Sequence, residues 1–181
     1  MTELWQLYDE QAQPIPGKGA PRNEVLKGLL HSAAHVWIWR QSDKGIEILI
    51  QKRAANKKTW PNMLDISAAG HIDLGEEPLQ AAVRETSEEL GIEIDPSNLA
   101  LLKVHRGKTT APNGLIENEF KWLYTYETSD RLEFMLRTSE VASLRWVNLD
   151  NFSLDVFDAT KYVPQGPGYF EALISFFEQV R

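Results

Sequence analysis

The chain has 181 residues, 43% of them hydrophobic and 25% charged, the balance of an ordinary soluble globular protein long enough to bury a core as one domain, 1–181. No apolar run approaches the roughly 20 residues that cross a bilayer, and the lack of cysteine excludes disulfides, thiolate metal sites and cysteine nucleophiles. A net charge of −7 argues against a nucleic-acid polymer as partner, because such binders carry a basic surface.

The N-terminus, MTELWQLYDE, has neither a basic start nor an apolar h-region, so no secretory signal is read and a cytoplasmic protein is expected. Residues 1–30, punctuated by Pro and Gly, are expected to wrap the body as short strand and loop. Runs 33–40 (AAHVWIWR) and 46–53 (IEILIQKR) are β-rich and joined by the hairpin-like QSDKG. Residues 51–58, QKRAANKK, form a basic stretch in an acidic chain, suited to a phosphorylated small molecule or simply to solvent. A short strand at 64–70 leads into a helix that Pro78 opens and Gly91 closes. Strands follow at 99–106 and 143–149, with a third at 116–127. In that third run Phe120, Trp122, Tyr124 and Tyr126 alternate with Glu117 and Glu119 on the opposite face. Phe170, Leu173, Ile174, Phe177 and Val180 recur at helical spacing, an amphipathic C-terminal helix. Strands with two or three helices packed on them give an α/β or α+β layered fold with a β-sheet at its centre.

The helix near 78–90 carries an electrostatic fault. At about 100° per residue, Leu79, Ala82, Val83, Thr86 and Leu90 share one face, and Glu85, Glu88 and Glu89 the other. These glutamates are i, i+3 and i+4 neighbours, each like-charged pair costing about 0.2–0.5 kcal/mol. They also sit at the negative end of the helix dipole, at a further cost of roughly 0.3–1 kcal/mol each. A divalent cation among them would remove both objections, since hard cations take oxygen ligands. Without one, they make a solvated acidic face. Gly70 precedes them, where the backbone can approach a ligand and its carbonyl can serve as one more. Arg84 can hold a carboxylate in a fixed fork geometry.

Gly70, five residues, Glu76, seven residues, then Arg84-Glu85-Thr86-Ser87-Glu88-Glu89-Leu90-Gly91-Ile92 resembles the Nudix box. Every charged and glycine position is filled. Thr86, where the family prefers an aliphatic residue, is the departure, and on the wheel it points to the core. The resemblance implies an α/β/α sandwich on a mixed sheet and Mg2+- or Mn2+-dependent hydrolysis of a diphosphate linked to another group. It implies metal binding or base assistance by Glu85, Glu88 and Glu89, with Arg84 and Glu76 tying loop to helix.

Three further segments, LLHSAAHVWIW, KKTWPNMLDISAAGHIDLGE and GLIENEF, resemble the isopentenyl-diphosphate isomerase branch of the same superfamily. By that likeness His31, His71, Glu117 and Glu119 match a histidine-carboxylate metal site, and Arg53 and Lys57 match diphosphate-holding positions. The branch also needs a cysteine just before the Gly-His pair, where this chain has Ala69, and a further histidine where it has Glu24. The isomerases have lost much of the Arg-Glu and Glu-Glu pattern kept here.

The expectation is therefore a Nudix pyrophosphohydrolase acting on a small-molecule diphosphate of the nucleoside-diphosphate type, with Glu85, Glu117 or Glu119 as general base. The family also suggests a homodimer. The alternatives are an isomerase-like enzyme on isoprenoid diphosphates and a non-catalytic diphosphate-binding sensor. His35 and His105, without a motif around them, read as structural, and Trp60 and Tyr162 as core aromatics.

Overall fold

The central strand of the molecule, β3, runs from Lys27 to Ser42 and carries two different faces. Val36 and Ile38 point to one side, Trp37 and Trp39 to the other, as the two-residue strand period demands. A computed structural model describes residues 3–129 and 131–181; Met1 and Thr2, the start of the expected wrap, lie outside the described residues.

Before β3 come β1 (Leu4–Tyr8), β2 (Pro14–Pro21) and the one-turn α1 (Arg22–Val25). β1 and β2 form a separate antiparallel pair. The expected wrap over 1–30 thus ends earlier, because Lys27–Leu30 already pair with β8. After β3 the chain turns into β4 (Gly45–Arg53), with Ser42 opposite Gly45, the hairpin expected at QSDKG. The run expected as one strand at 64–70 is split into β5 (Leu64–Asp65) and β6 (Ala68–His71).

Helix α2 (Pro78–Leu90) follows, then β7 (Ala100–Thr110), β8 (Ile116–Glu127), β9 (Val141–Asn148), α3 (Leu149–Asp155) and α4 (Tyr169–Gln179). The helix expected at the C-terminus is α4, whereas α3 takes Leu149 from the strand expected at 143–149 and residues 150–155 that the sequence left unassigned. The sheet is mixed: β3 pairs parallel with β8 along one edge and antiparallel with β4 and then β6 along the other. Past the hairpin β3 and β4 diverge, and β5 and β6 fill the gap between them. β9 closes the outer edge of β4, and β7 that of β8.

Each face is covered by helix, the α/β/α layering the family resemblance implies. On one side Ala81, Ala82 and Leu90 of α2 pack on Val36, Ile38, Leu49, Phe120 and Tyr124. On the other, Phe170, Leu173 and Phe177 of α4 and Phe152 of α3 pack on Trp37, Trp39, Ile48 and Ile50. Burying one such large side chain contributes about 1.5–3 kcal/mol.

Helix α2 is framed at both ends. Glu77 and Gln80 form a reciprocal capping box and Pro78 stands in the first turn. Gly91 ends the helix at φ 69°, and a Cβ there would meet Met135 at 2.6 Å, so both backbone and neighbour require glycine. Met135 N–H and Arg137 N–H donate to the carbonyls of Leu90 and Glu89, satisfying the helix end and bringing Arg137 beside it.

Candidate functional site

The divergence of β3 and β4 opens a cavity of about 370 Å3 between β6, the end of α2 and the start of β8. Its wall is mostly charged, with Trp5, Ala33, Ile66 and Ala69 as its apolar members. Arg53, Lys57, Gly70, His71, Arg84, Glu85, Glu88, Glu89, Glu117 and Glu119, all expected site residues, line it together. His31 lies directly behind, fully buried, 3.3 Å from Glu119.

Arg84 organises the loop before α2. Its Nε and Nη2 donate to the two oxygens of Glu76, both at 2.8 Å, Nη2 also to the His71 carbonyl, and Nη1 to Glu85 Oε1 at 2.6 Å. Burial works to raise the Glu76 pKa, but the Arg84 bonds and the Asp73 N–H outweigh it and hold the carboxyl below its usual range.

The three helix glutamates occupy three environments. Glu88 is exposed and meets Arg137 at 3.1 Å. Glu85 is half-buried against Gly70, its pKa raised by burial although Arg84 opposes this. Glu89, placed by the helical wheel on the open face, is instead buried. Gln51 of β4 and the Ala69 N–H of β6 both donate to its Oε2, at 3.3 and 3.2 Å. Burial, and then Glu85, push its carboxyl up to about 8. Strands β4 and β6 cover the last turn of α2, something the helix's own pattern cannot show.

A second group is assembled by strand register. β3 aligns His31 with Glu119 on β8, and Ala33 with His71 on β6, so three adjacent strands send these side chains to one face. One ligand atom from each of His31, His71 and Glu119 lies within 4.8 Å of the others. His31 Nδ1 donates to the Leu29 carbonyl at 3.0 Å, which turns Nε2 toward the Glu119 carboxylate. That Nε2 is buried without a hydrogen-bond partner among the described residues, as expected of a ligand atom. Burial works to raise the Glu119 pKa, but His31, Lys121 and His71 outweigh it and hold the carboxyl well below its usual range. Glu117, by contrast, is raised by burial and by Glu119. Burial, and then His31, hold the His71 pKa well below the ordinary histidine value.

Arg53 and Lys57 stand in the cavity wall with partners of their own. Arg53 donates to Asp65 Oδ2 at 2.8 Å and to the carbonyls of Trp60 and Thr59, and Lys57 is paired with Glu140. Trp5 was not foreseen: its ring stacks on His71 with centroids 3.5 Å apart and planes 8° from parallel. Nor were Lys121, buried between Glu119 and Gln165, and Asp65. In the sequence Lys121 is one more charge on the face of β8 that carries Glu117 and Glu119, so its burial left no local signal, and Trp5 had none. Trp60 also reaches Arg53, through its backbone carbonyl, and Tyr162 is buried in the core as read.

A sequence model of the family described as NUDIX domain matches residues 29–166. The chain belongs to the Nudix family. An uncharacterized Nudix hydrolase of Clostridium acetobutylicum is 35% identical over 158 residues, 83% of this chain and 72% of that protein. Isopentenyl-diphosphate Delta-isomerase of Escherichia coli strain CFT073 is 34% identical over 134 residues, 74% of this chain and 70% of the isomerase. The fold resembles the crystal structure of DR0079 from Deinococcus radiodurans, with a TM-score of 0.68 and 18% identity over 98% of both chains. It also resembles the NUDIX domain of Shewanella oneidensis NrtR solved with ADP ribose, with a TM-score of 0.61 and 14% identity over 96% and 94% of the two chains. This Nudix protein is an enzyme of the pyrophosphohydrolase type, acting on a small molecule, and none of its described helices is long and apolar enough to cross a membrane.

The residues present fit a divalent cation. Gly70 admits the Glu85 carboxylate against its backbone, Glu89 is a buried acid strained by a second carboxylate, and His31 Nε2 is an orphaned donor atom.

Proposed function

We propose that the protein hydrolyses the diphosphate linkage of a nucleoside-diphosphate-type small molecule with the help of Mg2+ or Mn2+. The observation that carries this reading is the convergence of Glu85, Glu88 and Glu89 on one wall of the cavity, with Gly70 beside them. These carboxylates and the Gly70 carbonyl would hold the cation. When bound, it would neutralise charge on the diphosphate and lower the pKa of a water.

The chain's own groups divide the remaining work. Arg84 fixes Glu85 and the loop. Glu85 and Glu117 are the carboxylates poised to accept a proton, because burial raises both above the usual carboxylate value. Glu119 is held too acidic for that task, which suits it to ligation with His31 and His71. Lys57 and Arg53 border the site from the basic stretch and would meet the substrate's phosphates in company with their acidic partners.

We read residues 1–181 as one Nudix domain and a homodimer as its assembly, which light scattering would check. Release of phosphate or nucleoside monophosphate from a panel of diphosphates, with Mg2+ and with Mn2+, tests the function. Inertness toward the whole panel would overturn it.

A second reading, isomerisation of an isoprenoid diphosphate, is favoured by the His31–His71–Glu119 cluster and by the isomerase relatives. Ala69 cannot exchange a proton, so we place this reading second. Conversion of isopentenyl to dimethylallyl diphosphate would reverse that order.

A further inference from the structure

We propose that His35 is a specificity-determining residue at the floor of the cavity, donating a hydrogen bond from Nε2 to an acceptor on the organic part of the substrate. The proposal rests on the diphosphate reading and narrows it: the substrate carries a polar group, such as a sugar or base, rather than a hydrocarbon.

His35 lines the cavity although it is buried in the middle of β3. It stands directly opposite Ala69 in the β3–β6 register, so their side chains share a face and the small methyl leaves the imidazole open to the cavity. The ring's tautomer is fixed from behind. Trp37 Nε1, which can only donate, gives its proton to the Tyr169 hydroxyl at 3.0 Å. That hydroxyl, 2.7 Å from His35 Nδ1, then satisfies its own proton by donating to Nδ1. His35 is thereby an acceptor at Nδ1 and a donor at Nε2. Burial, and then Lys121, lower its pKa to about 3, which keeps it a neutral donor rather than a cation.

The surroundings point to the same class of ligand. Asp65, Glu119 and Gln165 lie on the cavity wall with His35, and the apolar members, Trp5, Ala33, Ile66 and Ala69, offer little to a hydrocarbon tail. A neutral, preset N–H at the floor rewards an acceptor atom and penalises a methyl group left against it.

Two measurements test this on the full chain. Long-range 1H–15N spectra of the wild type at pH 7 should show His35 as the Nε2–H tautomer, and Tyr169→Phe should turn it into a mixture. A wild-type ring protonated on Nδ1 overturns the proposal. Kinetics with ADP-ribose and with isopentenyl diphosphate, in Mg2+, supply the second arm. His35→Phe should raise KM for ADP-ribose roughly tenfold, leave kcat within about twofold and leave the isopentenyl compound unchanged. Tyr169→Phe should shift KM the same way by less, and circular dichroism should show both variants folded. Equal effects on the two compounds, or none, overturn the proposal. A wild type inert toward both is the failure of the diphosphate reading itself, and removes the substrate assignment while the tautomer result still stands.

Discussion

The carboxylate of Glu85 fills the place where a side chain at position 70 would stand: a Cβ added to Gly70 would lie 1.9 Å from Glu85 Cδ. Gly70→Ala must therefore push Glu85 out of the cavity wall. The expected result is a fall in turnover of at least about a hundredfold with a native circular dichroism spectrum, since no core contact is removed. Turnover near wild type would show that the position of Glu85 is unimportant.

Glu88→Gln and Glu89→Gln should each cut turnover by orders of magnitude and leave the fold intact. Without metal, the Glu89 variant should melt at the same or a higher temperature, because a buried carboxylate strained by Glu85 has been neutralised. Calorimetry alongside the assay checks both halves.

Stability of the metal-free protein should depend on pH through Glu89. Its folded value of about 8 lies above the ordinary 4.5, so the folded state binds one more proton between them. The contribution is fully present below pH 4.5 and is lost as pH rises toward 8. The slope is at most about 1.4 kcal/mol per pH unit for one proton. Denaturant melts at pH 5, 6.5 and 8 should show this decline, and Glu89→Gln should flatten it.

Thr86 shows that the departure from the family's aliphatic preference is a matter of packing. It is fully buried, and its hydroxyl donates to the Ala82 carbonyl one turn back, at 2.7 Å. Thr86→Val should change stability by no more than about 1.5 kcal/mol, the net worth of one hydrogen bond, and leave turnover unaltered. A large loss of activity would give the hydroxyl a role that this geometry does not.

Local pattern made α2 legible: Pro78 and Gly91 mark its ends, and the structure runs from Pro78 to Leu90. The burial of Glu89 was not legible, because Gln51 and Ala69, which cover it, come from strands far away in sequence. The alternation of residues 116–127 put Glu117 and Glu119 on one face, yet only the β3–β8 register brings Glu119 to His31. Register between distant strands is set by the whole sheet, so it leaves no local trace. Helix α3 did leave one: Asn148 caps the Asp150 N–H, a signal overlooked beside the strand before it. The long start of β3 was hidden by Gly28, whose φ of 106° breaks the strand pattern.

The central claim is that the acidic end of α2 is completed by a divalent cation. Titration of the protein with Mn2+, followed by electron paramagnetic resonance, tests it most directly. The account predicts stoichiometric uptake by the wild type, competed by Mg2+, and a loss of at least about tenfold in affinity when Glu85, Glu88 and Glu89 are all changed to glutamine. Equal Mn2+ binding by the wild type and the triple variant, or none by either, would contradict it.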